Sequence, residues 1–146
     1  MKNAFLIVLG IFVVIQFIRP DFKDPKVDKK VELHADAKVM KVLKGSCYDC
    51  HSNETKYPWY SNIAPVSWFM ADHINRGRKA INFSDWVTMD PQRKLARLKR
   101  ANHLINLDLM PIGNYTWMHK HAILNKEQKE LLNHFFDKQI QKLQNS

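Results

Sequence analysis

Glycine is scarce in this chain, at four of 146 residues, and cysteine scarcer still, at two. No stretch is low in complexity or repeats at a solenoid period, which sets aside disordered and repeat architectures. No run alternates apolar and polar residues with period two over a useful length, so a sheet is not expected. Acidic residues are outnumbered, 14 Asp and Glu against 23 Lys and Arg, and the formal net charge of +9 favours nucleic acid, anionic lipid or acidic protein as partners. No recognition motif accompanies the charge, so nucleic acid is not expected. The excess is concentrated between Arg76 and Arg100, where Arg93, Arg97 and Arg100 share a helical face opposite Leu95 and Leu98, the pattern of a solvated basic face.

Long apolar runs are absent too, with one exception at the N-terminus. "AFLIVLGIFVVIQFI", Ala4 to Ile18, passes straight into Arg19-Pro20 with no small-residue cleavage site and no cysteine to take a lipid. It is slightly short of the roughly 20 residues of a full span, but Asn3 and Arg19 flank it and can reach the interface. An uncleaved signal anchor or transmembrane helix is therefore expected over residues 1–19, with a late-cleaved signal as the alternative. Lys2 on one side and Arg19, Lys23 and Lys26 on the other, the latter offset by Asp21 and Asp24, leave its orientation open. Residues 20–31, with two prolines and dense mixed charge, read as an extended linker. Residues 32–146 then form one small domain.

Within that domain every signal is helical, and the expected fold is all-α. Asp36 can cap a helix carrying Val39, Val42 and Leu43 that stops near Gly45. Pro65 can occupy the first turn of the next long helix, which Gly77 is expected to terminate. Asp90-Pro91 starts another, with Leu95, Leu98, Ala101 and Ile105 on one stripe and an end before Met110-Pro111. Asn125 and Gln128 resemble a capping box for the last, whose apolar face is Leu131, Leu132, Phe135 and Leu143. The connections are rich in aromatics (Trp59, Tyr60, Trp68, Phe69, Trp86, Tyr115, Trp117) that would wall a pocket or pack the core.

Both cysteines fall in Cys47-Tyr48-Asp49-Cys50-His51, the C-x-x-C-H pattern of a c-type haem attachment site. On one helical turn Cys47, Cys50 and His51 stand at i, i+3 and i+4 and face one side. The two thiols can then reach the two vinyl groups along one porphyrin edge while the imidazole, the usual proximal ligand, reaches the iron. A zinc site would need a second pair of ligands, and no second C-x-x-C or H-x(3 to 5)-H is present. A redox dithiol would follow a strand, and a structural disulfide would close a very short loop. Thioether haem is assembled outside the cytoplasmic membrane in bacteria, which agrees with an anchor and places the domain in the periplasm.

For the sixth iron position Met110 is the leading candidate distal ligand, because Pro111 after it keeps the segment out of helix. His119 and His121 are its rivals. Arg78 is the preferred propionate contact among Arg76, Arg78 and Lys79.

"SCYDCHSNETKYPWYSNIAPVSWFMADHINRGRKAINFSDW", with the later "MPIGNY" and "HAIL", resembles the bacterial haem-binding domain family of small, membrane-anchored, cytochrome-c-like proteins, over roughly residues 32–143. The resemblance implies covalent haem c on Cys47 and Cys50, His51 as proximal ligand and Met110-Pro111 as the distal element. The expected function is one-electron transfer by a single haem c at the periplasmic side of the inner membrane, with an acidic redox protein or anionic lipid against the basic face. The alternatives are a peroxidase-like haem enzyme using His73, His103 or His119 for acid-base work, and a haem-dependent sensor or assembly module.

Overall fold

The computed structural model of the chain describes residues 1–22 and 24–145; Lys23, one of the charges flanking the apolar run, lies outside them. Among the described residues the fold is all-α, as expected, with seven helices and no strand. They are α1 (Lys2–Ile15), α2 (Ala37–Ser46), α3 (Tyr48–His51), α4 (Val66–Ala80), α5 (Pro91–Asn106), α6 (Gly113–Met118) and α7 (Lys126–Gln144).

Side chains that accept the first free N–H groups start three of the helices. The Asp36 carboxylate accepts from the Lys38 and Val39 amides, and Asp90 accepts from Arg93 with Pro91 in the first turn. Asn125 and Gln128 cap one another's backbone at 2.8 and 2.9 Å. Asn125→Ala is expected to cost about 1 kcal/mol, read as a lowered melting temperature with unchanged room-temperature helicity.

Gly77 corrects the sequence reading. It does not end α4, which continues to Ala80. Its glycine has a tertiary cause, because an alanine Cβ there would lie 2.3 Å from the Cys50 carbonyl oxygen and 2.9 Å from its carbon. The helix runs against the backbone of α3 at that point, and only a bare Cα fits.

The core is made where α2, α5 and α7 meet. Leu43 and Leu132 are fully buried, and Val39, Leu98 and Phe136 are nearly so. Tyr48 of α3 stacks on Phe83 at 5.6 Å, and Trp86 closes the same side under the Lys94 ammonium. The cysteine motif is thereby fastened to the core through its own second residue.

No helix among the described residues is long and apolar enough to cross a membrane. α1 has 14 residues, about 21 Å of helix at 1.5 Å per residue, and none of them is buried. Its end is docked on the domain: the Gln16 amide donates to the Ala64 carbonyl at 3.1 Å and accepts from the Ala64 N–H at 2.9 Å. Trp68 Nε1–H donates to the Ile18 carbonyl at 2.6 Å. The linker segment is extended but also fastened, since Asp24 accepts from Tyr57 at 2.8 Å and Phe22 packs on the Tyr57 ring at 4.7 Å.

Candidate functional site

The site is built on the single turn of α3. The Cys50 and His51 amides both donate to the Cys47 carbonyl, at 3.2 and 2.9 Å, closing the turn that puts the two thiols and the imidazole on one side. The loop from Ser52 to Thr55 holds this turn in place. Ser52 donates to the Tyr48 carbonyl at 2.8 Å and accepts the Glu54 amide at 2.9 Å. The Asn53 amide donates to the fully buried Ser84 hydroxyl, and Thr55 donates to the Asp49 carbonyl.

His51 is oriented from behind. Its Nδ1 lies 3.1 Å from the Ile81 carbonyl oxygen, which can only accept, so Nδ1 carries the proton. Neutral imidazole then has its lone pair on Nε2, the nitrogen able to bind a metal. Burial lowers the imidazole pKa and keeps that form at neutral pH. The two thiols are free of a disulfide. Burial is the largest cause that raises Cys47 to about 12 and Cys50 to about 11, so both are protonated at pH 7.

Cys47, Cys50, His51 and Met110 line one cavity of about 290 Å³. Its remaining walls are mainly apolar, among them Phe83, Ile105, Pro111, Ile112 and Leu124, and Arg76, Arg97 and Arg100 stand at its edge. Arg76 pairs with Asp72 at 2.9 Å. Arg93 and Arg100 are exposed, as a solvated face of α5 requires, but Arg97 is half-buried, and Arg97 and Arg100 also supply part of this wall.

Arg78 is directed to other partners. Its guanidinium donates to the Ser52 carbonyl at 2.8 Å, to Thr55 at 2.9 Å and to Asp24 at 2.5 Å. It clamps the loop after the motif to the linker rather than lining the cavity. Tyr115 is the functional residue that the sequence reading leaves undifferentiated: its hydroxyl donates to Asp49 Oδ2 at 2.6 Å and ties α6, just after Met110-Pro111-Ile112, to the middle of the motif. Tyr115→Phe is expected to cost about 2 kcal/mol, the range for hydrogen bonds to charged groups, measured by denaturant unfolding.

His119 and His121, the rivals of Met110, are not among the residues that line the first cavity with His51. His119 lines a second cavity of about 310 Å³, which shares Asp49, Cys50, His73, Ile112 and Tyr115 with the first. Trp59, Phe69 and Trp117 are 77%, 65% and 72% exposed, so these three neither wall the first cavity nor pack the core.

A family model for the haem-binding domain matches residues 10–138. The chain belongs to the haem-binding domain family. No curated protein and no solved structure matches it. The match starts within the apolar N-terminal segment, ahead of residue 32, and so takes in the Gln16 and Asp24 contacts that fasten that segment to the domain. The chemistry of the first cavity fits the cofactor of this haem-binding domain. A neutral imidazole with a free nitrogen, a thioether sulfur, apolar walls and arginines at the edge suit an iron porphyrin with two carboxylates.

Proposed function

We propose that this haem-binding domain holds one haem c through thioether bonds to Cys47 and Cys50 and transfers single electrons. The observation that carries the reading is the convergence of both thiols, the His51 imidazole and Met110 on one cavity. Each thiol adds its S–H across a vinyl group, the sulfur to one carbon and the hydrogen to the other, with no electron gained or lost. The iron would be held by His51 Nε2 and by the Met110 sulfur. Bound haem supplies a one-electron iron couple whose potential the axial ligands and local charge set. Arg97 and Arg100, with Arg76, would hold the propionates, while Arg78 keeps the motif loop in place. The remaining basic groups on α5 offer a docking face to an acidic redox protein.

The same proposal places α1 in the bacterial inner membrane with the domain on the periplasmic side. Every residue of α1 from Ala4 to Val14 is apolar and exposed, which in water would be costly. Beyond Gln16, which holds the end of the helix on the domain, Phe17 and Ile18 are again apolar and exposed.

The purified chain is expected to keep its haem through acid-acetone extraction, and Cys47→Ala with Cys50→Ala to lose it. Release of haem from the unaltered protein refutes the covalent reading. A high-spin ferric spectrum with rapid peroxide reaction refutes electron transfer in favour of a peroxidase-like enzyme, with His73 in the cavity wall as its acid-base group.

A further inference from the structure

The second cavity has the features of a small-molecule site in its own right. At about 310 Å³ it lies at the lower end of ligand-pocket sizes. Cys47, His51 and Met110 line the first cavity, whereas Pro58, Val66, Phe69, Met70, Ile74 and Trp117 form the apolar part of the second. Its polar groups include Asp49, Lys56 and His73, and Tyr60, Tyr115 and His119 are linked to one another. His119 Nδ1 lies 3.1 Å from the Tyr115 carbonyl oxygen, so Nδ1 carries the proton and Nε2 is an acceptor. The partner of Nε2 is the Tyr60 hydroxyl at 3.3 Å, longer than a well-formed bond and easily exchanged for a better donor. The imidazole is held in register by stacking on Tyr115, ring centroids 4.3 Å apart and 19° from parallel, and Tyr115 is itself fixed by Asp49.

The mouth points to the source of the ligand. Phe69, Trp117 and Met118 border the cavity and are 65%, 72% and 50% exposed, an apolar rim with no protein cover. Val66, another wall residue, is two positions from Ala64, where Gln16 ties down the end of the apolar α1. Trp68, the neighbour of Phe69 in sequence, donates its indole N–H to the Ile18 carbonyl at the end of the same apolar segment, and exposed aromatic side chains suit the boundary between lipid and water.

We propose that the second cavity binds an apolar aryl alcohol of the phenol or hydroquinone class, taken up from the lipid phase, with its hydroxyl donated to His119 Nε2. The ring lies among Tyr60, Phe69, Tyr115 and Trp117, where offset or edge contacts are available. A ligand with carbonyl or ether oxygens alone gives Nε2 no proton and loses the bond that orients it. The site borders Cys50, so its ligand sits beside the haem; that placement alone rests on the haem c reading.

The test is anaerobic calorimetric titration of the full-length, ferrous holoprotein in detergent micelles with trimethylhydroquinone and with its dimethyl ether, both referred to micellar concentration. Saturable binding of one hydroquinone per chain is expected, with the ether about tenfold weaker or worse. His119→Phe is expected to weaken the hydroquinone by about the same factor and to leave the ether unaffected. Met70→Trp fills the cavity and is expected to abolish binding while the Soret band and melting curve persist. Non-saturable heats, equal affinity for the two compounds, or a folded Met70→Trp that binds as before each overturn the proposal. Should Met70→Trp fail to fold, the comparison of the two ligands on the unaltered chain decides alone. A wild-type chain without a Soret band instead refutes the haem reading, and the titration still reports on the second cavity.

Discussion

Gly77→Ala is expected to destabilise the protein by about 3 kcal/mol or more and to cut haem incorporation sharply. An added Cβ would stand 2.3 Å from the Cys50 carbonyl oxygen, and that neighbour is backbone, with no flexible side-chain end to swing away. Relief therefore requires α4 to move off α3. That movement also pulls the Ile81 carbonyl from His51 Nδ1, because Ile81 comes directly after α4 and its amide is bonded to the Gly77 carbonyl at 2.9 Å. The melting temperature should fall by about 10 °C for a chain of this size. Gly45→Ala is the internal control. Gly45 also lies inside a helix, but a Cβ there meets nothing within 4 Å, so alanine should raise stability by about 0.5–1 kcal/mol. Opposite signs for one chemical change at two helical glycines would establish close backbone approach at Gly77. A Gly77→Ala protein as stable and as haem-replete as wild type would show that the approach is not required.

The contrast between these glycines also shows where sequence is sufficient. Asp36, Asp90 and Asn125 act within three residues of themselves, so their caps are directly legible and the helices start where expected. Cys47, Cys50 and His51 are equally local, needing one helical turn to face together. Gly77 answers to Cys50, a contact 27 positions back that no local rule encodes, and local rules make it a stop signal instead. The partners of Arg78 and the cavity-lining position of Arg97 are long-range in the same way. Helical periodicity tells which residues share a face but not which element covers it, so a cavity wall on α5 reads as a solvated stripe. The aromatics mislead differently: their size suggests a core, yet Trp59, Phe69 and Trp117 are left out of it.

Met110→Leu is expected to lower the reduction potential by on the order of 0.1 V and to remove the sulfur-to-iron charge-transfer band, with covalent haem and helicity retained. The residue is half-buried and packs against the core as well as lining the first cavity, so truncation to alanine would confound a lost ligand with a void. Leucine keeps nearly the same volume and costs little in packing, but has no sulfur. The segment that carries Met110 is held on both sides of it. Ahead of it Asp108, turning the chain with φ of 57°, pairs with Lys129 of α7; beyond it Tyr115 bonds Asp49. A sulfur so placed is presented by the fold, not recruited by a mobile loop, and its loss should leave the surrounding backbone as it was. Tyr115→Phe then becomes the graded companion: it releases one tether without touching the sulfur, and a smaller fall in potential is expected. If Met110→Leu leaves both the band and the potential unchanged, Met110 is packing alone, and the distal position belongs to another group or stays open.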